Sequence, residues 1–190
     1  MKPSMLMSAA GTHPGNKRAN NQDAYSLHDA EGIWILADGM GGNEGGEVAS
    51  EIACRELFSS LNSGANIEQA ILLAHEQIIR EGDLKPELKG LGTTATIVRA
   101  VDDKQYEIAW VGDSRIYLWR QGKLKQLSKD HSVVQRLLDV GVLNVQEAKN
   151  HPNSNLITSC LGLSLEDDKE LEIGVKSDVW LGGDKLLMCS

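Results

Sequence analysis

Residues 93–127, TTATIVRAVDDKQYEIAWVGDSRIYLWRQGKLKQL, hold three successive segments rich in β-branched and aromatic residues, Thr93–Val98, Tyr106–Val111 and Ile116–Trp119. Asp102-Asp103-Lys104 separates the first two and Gly112-Asp113-Ser114 the next two. Connectors this short predict antiparallel pairing at both junctions, because a parallel crossover needs about a dozen residues or more. Gln121-Gly122 then predicts a further hairpin into Leu124–Leu127.

Upstream, Ile33-Trp34-Ile35-Leu36-Ala37 is a short apolar run ending in Asp38-Gly39, which reads as a buried strand entering a turn. Beyond it Ala49, Ile52, Ala53, Leu57 and Leu61 recur at helical spacing, and Ile67, Ile71, Ala74 and Ile78 do so again. Downstream, Ser132–Val140 returns to a helical pattern stopped by Gly141, and Val145–Asn150 reads as a short helix. Leu171–Val175, Val179–Leu181 and Lys185–Cys189 read as strands. Helices are thus segregated from antiparallel strands rather than alternating with them, which predicts an α+β fold.

The 190 residues support one compact domain, with no repeat or linker to divide them, so residues 1–190 are expected to form a single unit. A formal charge of −8 with no Lys/Arg cluster argues against a nucleic-acid or anionic-membrane surface. Met5-Leu6-Met7 is too short for a secretory core, and no run approaches the ~18 apolar residues of a membrane span. A cytoplasmic location is the default expectation. Cys54, Cys160 and Cys189 form no CxxC pair, and none is followed by a phosphate loop closing on an Arg, so they read as small buried hydrophobes.

Asp38-Gly39-Met40-Gly41-Gly42-Asn43-Glu44-Gly45-Gly46-Glu47 places five glycines and three carboxylates in ten residues after a buried strand. Glycine admits a ligand close to the backbone, which suits a carboxylate and a neighbouring carbonyl jointly binding a hard cation. A Walker loop would need Lys-Ser/Thr where Glu47-Val48 stands, and the dinucleotide fingerprint and EF-hand spacing also fail. From local composition alone, a plain glycine-rich turn remains an alternative. Taken singly, Arg18-Ala19-Asn20-Asn21-Gln22-Asp23 reads as a polar loop and Gly112-Asp113-Ser114 as an ordinary turn.

Their order carries more. Arg18 with Asn21-x-Asp23, Ala37–Gly42, Gly92-Thr93-Thr94-Ala95, Val111–Arg115, Asp130-His131-Ser132, Asn155–Thr158 with Leu161-Gly162, and Gly183–Ser190 together closely resemble the metal-dependent protein phosphatases, the protein phosphatase 2C or PPM family, in its bacterial form. The resemblance covers essentially the whole chain.

It implies two antiparallel β-sheets packed as a sandwich, flanked by helices on both faces. It also implies hydrolysis of phosphoserine and phosphothreonine in proteins at two Mn²⁺ or Mg²⁺ ions, which activate a water for in-line attack without a covalent phosphoenzyme. Carried onto this sequence, Asp38 bridges the ions, the Gly39 carbonyl binds one, and Asp23 holds the other directly or through water. Arg18 grips the phosphate with a planar guanidinium, and Asp113 serves a third, weaker metal site. The implied partners are phosphorylated Ser/Thr proteins and an opposing bacterial Ser/Thr kinase, with the phosphatase a monomer.

Gln22 stands where the family usually has Glu, and Asn43 where it often has His, the candidate general acid. His131 is another candidate acid, although a structural role in a turn suits it better. In the family the strand matching Leu186–Ser190 runs on into a metal-binding Asp-Gly, with a further Asp beyond. The resemblance therefore implies a C-terminally truncated domain lacking two carboxylates and the last strands. Two other readings stay open: a truncated, catalytically impaired relic that binds phosphoproteins or a partner, and a small-molecule phosphatase.

Overall fold

The structure is a computed structural model that describes residues 6–15, 20–41, 45–163 and 170–190. Nine strands and four α-helices occur among them: β1 (Asp23–His28), β2 (Ile33–Met40), α1 (Gly45–Asn62), α2 (Ile67–Leu84), β3 (Gly92–Thr93), β4 (Ala95–Ala100), β5 (Gln105–Val111), β6 (Arg115–Arg120), β7 (Lys123–Gln126), α3 (Val133–Asp139), α4 (Val145–Lys149), β8 (Gly174–Val179) and β9 (Lys185–Cys189). They build two antiparallel sheets. The larger has the order β1-β2-β4-β5-β8 with β3 attached to β2, and the smaller has the order β7-β6-β9.

The period-2 pattern of β2 explains how the layers meet. Ile33, Ile35 and Ala37 point one way, into a core with Ala49, Ala53, Leu57, Ile71 and Ile78 of α1 and α2. Trp34 points the other way and joins Val98, Tyr106, Ile108 and Ile116, against which Leu186 and Met188 of β9 pack. The first core covers the large sheet with helices, and the second lies between the sheets. Asn66 caps α2 with a full capping box, its side chain accepting from the Gln69 N–H. No helix among the described residues is long and apolar enough to cross a membrane.

The expected α+β class, the two long helices, the β4–β5 hairpin and the β6–β7 hairpin all appear. The latter turns on Gln121 and Gly122, both at positive φ. Three expectations need correction. The Gly112–Ser114 connector is not a hairpin, because β5 pairs with β4 and β8 while β6 pairs with β7 and β9. Gly112 takes φ +99 with the Thr94 side chain against it, so the chain turns out of one sheet and into the other. The strands expected at 171–175 and 179–181 are replaced by one, β8, whose polar Lys176-Ser177-Asp178 lies on an exposed sheet edge where apolarity is not required. Finally, Asp23, the last residue of the stretch that reads as a polar loop, begins a strand that runs on through residues 24–28, where no element was expected.

Candidate metal centre at the end of the sheet sandwich

The β1–β2 register places Asp23 directly opposite Asp38. Next along, the Gly39 N–H donates to the Gln22 carbonyl at 3.0 Å, so Gln22–Gly39 is the hydrogen-bonded pair and Asp23–Asp38 the closer, non-hydrogen-bonded kind. The Cα atoms of such pairs lie about 4.5 Å apart and both side chains share a face. Here that face is the one bearing Trp34, between the sheets. From the other sheet, the Ser190 hydroxyl at the end of β9 donates to Asp23 Oδ2 at 3.1 Å.

Asp38 is held through its main chain. Its N–H donates to Thr94 Oγ1 at 2.9 Å, and its carbonyl accepts from the Thr94 N–H at 2.9 Å. Thr94 Oγ1 also shares a 2.8 Å hydrogen bond with Ser114 Oγ. One buried hydroxyl therefore ties the end of β2 to the turn that carries Asp113. Burial raises the Asp113 carboxyl above its ordinary range, aided by the neighbouring Asp130 and opposed by hydrogen bonding within Asp113 and by Arg115.

That turn is clamped from outside. The His131 ring, buried, accepts through Nδ1 from the Gly112 N–H at 3.2 Å, and the His131 N–H donates to the Gly112 carbonyl at 2.9 Å. Arg115 grips Asp130 through Nε and Nη2, the shortest contact being 2.6 Å. His131 thus takes a structural role in the fold.

Gly39 has a steric reason to be glycine. A Cβ there would lie 2.0 Å from the Gly46 carbonyl oxygen, so the first turn of α1 rests directly on the end of β2. Ser50 Oγ donates to the Gln22 carbonyl at 2.7 Å and fastens the start of β1 to the same helix.

The donors suit a hard divalent cation. Like charges directly opposite on a sheet repel, and a cation between Asp23 and Asp38 would relieve that repulsion. Mg²⁺ is characteristically held by one or two carboxylates with water and substrate phosphate completing its shell. Among the described residues no three His, Cys, Asp or Glu side chains converge as a ligand set. The structure therefore brings Asp23 and Asp38 together, with Gly39 adjoining, and leaves Asp113 on the neighbouring turn. Arg18 and Asn43 lie outside the described residues. The buried thiols offer no nucleophile, since burial pushes Cys54 up to about 12 and Cys160 up to about 11. Sequence reasoning missed Thr94 and Ser114 as the link between loops; their hydroxyls beside glycines were the available signal.

Comparison with known proteins agrees with this architecture. Residues 10–134 match the family described as Protein phosphatase 2C. The chain is similar to the serine/threonine phosphatase stp of Listeria welshimeri, 36% identical over 193 residues that cover 94% of this chain and 74% of the relative. It is 34% identical to the serine/threonine protein phosphatase PstP of Mycobacterium tuberculosis over 98% of this chain, but spans only 36% of that protein's length. Among solved structures, the catalytic domain of PstP in complex with two manganese ions superposes with a TM-score of 0.77 at 31% identity, covering 93% of this chain and 73% of that one. The chain belongs to the protein phosphatase 2C family of bacterial Ser/Thr phosphatases.

Proposed function

We propose that the protein hydrolyses phosphoserine and phosphothreonine in other proteins, using Mn²⁺ or Mg²⁺ held at Asp23 and Asp38. The observation that carries this reading is the closely opposed Asp23–Asp38 pair at the open end of the sandwich. Its support is the relative solved with two manganese ions. Bound divalent ions would supply Lewis acidity and a nucleophilic water near neutral pH.

The chain's own residues have distinct tasks. Asp38 would be shared by the bound ions, and its main chain is tied to Thr94, which limits how the carboxylate can turn. Asp23 would supply the second carboxylate, directly or through a water, and the Gly39 carbonyl a further oxygen. Asp113, on the neighbouring turn, would offer a carboxylate to a third and weaker cation. Arg18 would grip the phosphate bidentately. With Asn43 unable to donate a proton at neutral pH, water protonates the departing alcohol. Phosphorylated proteins under a bacterial Ser/Thr kinase are the proposed substrates, and residues 1–190 act as one domain.

A second reading, a phosphoprotein-binding module with impaired catalysis, draws on Asn43, which stands where the family often has the His that is the candidate general acid. Turnover of a phosphothreonine peptide compared with sugar phosphates, each at saturating Mn²⁺, decides among the readings. A kcat/KM favouring the peptide supports the protein phosphatase. Preference for sugar phosphates would make it a small-molecule enzyme, and peptide binding without turnover would favour the binding module.

A further inference from the structure

β1 is the outermost strand of the large sheet, and its free side opens beside the candidate centre. The alternation set by Gln22–Gly39 makes Ala24, Ser26 and His28 the residues that bond to β2. Tyr25 and Leu27 therefore turn their N–H and C=O groups outward, and neither main chain makes a hydrogen bond among the described residues. Both residues are exposed, at 41% and 36%. An edge strand with outward main-chain groups is a template for another strand, and here, among the described residues, residues 8 and 12 are tethered only at its two ends, by Ser8 to Asp29 and Thr12 to Asn21.

A groove of about 710 Å³ runs along this edge, between β1 and α1. Asn21, Asp23 and Glu47 stand at one end, and Phe58 and Asn62 at the other. The far wall is firm, because the His28 ring stacks on Phe58 with centroids 3.4 Å apart and planes 8° from parallel. Along the helix side, Glu47, Glu51, Arg55 and Ser59 recur every fourth residue and form one stripe facing the groove. The two carboxylates of that stripe lie nearest Asp23. At ~3.3 Å per residue, the six residues of β1 give an edge about 20 Å long, room for five or six residues of extended peptide.

We propose that the phosphoprotein substrate docks as an added strand on the outer edge of β1, its side chains alternating into the α1 groove, with Glu47 and Glu51 favouring Lys or Arg beside the phosphoresidue. This rests on the proposed phosphatase reading and adds to it the shape and charge of the substrate. The main-chain bonds of strand addition would supply affinity irrespective of sequence, and the groove the selectivity. Continuity of the groove with Asp23 singles out a substrate segment as the occupant. Net charge of −8 on the chain favours a basic partner segment for the same reason.

The test uses the whole chain and fluorescein-labelled phosphothreonine peptides of twelve residues with either basic or acidic flanks. In anisotropy titrations the basic peptide should bind about fivefold more tightly, as expected from one or two exposed ion pairs, and Glu51→Lys should erase the difference. Leu27→Pro removes an outward N–H while leaving the ladder to β2, and should weaken both peptides about tenfold. Hydrogen exchange followed by NMR should show the Tyr25 and Leu27 amides protected on peptide binding. Hydrolysis of p-nitrophenyl phosphate, too small to reach the groove, should be the same in both variants as in the parent chain. Absence of that hydrolysis in the parent chain would remove the phosphatase reading, while binding and exchange would still report on docking. Unchanged exchange at Tyr25 and Leu27 with peptide bound, equal affinity for both flanks, failure to bind, or protection that appears with protein concentration alone, which would mean β1 pairs with a second copy, each overturns the proposal.

Discussion

Asp23 and Asp38 face one another across β1 and β2 as a non-hydrogen-bonded pair, with their side chains on the face between the two sheets. A cation seated there should stabilise the fold, because a ligand bound only to the native state adds RT ln(1 + [L]/Kd), about 2.7 kcal/mol at a hundredfold excess over Kd. Thermal unfolding with and without Mn²⁺ should therefore show a rise for the parent chain and a much smaller rise for Asp38→Asn. An equal rise in both would place the metal elsewhere.

Thr94 joins the two loops of the site through one hydroxyl, and valine would keep its shape while removing that hydroxyl. Thr94→Val leaves the Asp38 N–H and the Ser114 hydroxyl without their buried partner, at a cost of about 1–3 kcal/mol. Urea unfolding should show a lower midpoint at unchanged slope. Mn²⁺ affinity should fall as well, since the Asp38 backbone loses one of its two hydrogen bonds to Thr94.

Gly39→Ala puts a methyl group 2.0 Å from the Gly46 carbonyl oxygen and 2.6 Å from that of Gln22, both of them backbone atoms that cannot swing aside. Helix α1 must retreat from β2, and overpacking of this kind costs about 1–3 kcal/mol or more. The same urea titration checks it; wild-type stability would mean that the first turn of α1 does not rest on Gly39.

Two histidine rings hold glycine loops in place, His131 at Gly112 and His75 at Gly162, each accepting an N–H at Nδ1. Burial lowers both below the ordinary value of 6.5, with Glu172 opposing at His131 and Glu76 at His75. Above that value both are neutral folded and unfolded, and they add no pH dependence. As the pH falls below 6.5, the unfolded chain takes up protons that the folded rings refuse, so stability declines until the lowered folded values are passed. Urea unfolding between pH 7.5 and 5 should follow this course, and His75→Gln should flatten its share of the slope.

The long helices and the β4–β5 hairpin were legible because each pairs a clear period with an obvious boundary: helical spacing through Ala49–Leu61 and Ile67–Ile78, and Asp102-Asp103-Lys104 between two apolar strands. Strand β1 was hidden for a physical reason. Only Ala24 packs on the helix-side core; Ser26 and His28 face the groove along α1, and Tyr25 and Leu27 stay exposed, so the core imprints little alternation on it. The turn at Gly112 was misread because loop length reports closeness in space and cannot tell a hairpin from a step between sheets. Which carboxylates meet depends on the register of β1 with β2, and composition does not encode register. The order of motifs nevertheless singled out Asp23 and Asp38, and the fold makes them neighbours.

The most direct measurement is Mn²⁺-dependent release of phosphate from a phosphothreonine peptide by this chain, run beside Asp38→Asn. The account predicts turnover that requires Mn²⁺ and disappears in the variant. Equal turnover in the variant, or none in the folded parent chain at saturating Mn²⁺, would contradict it.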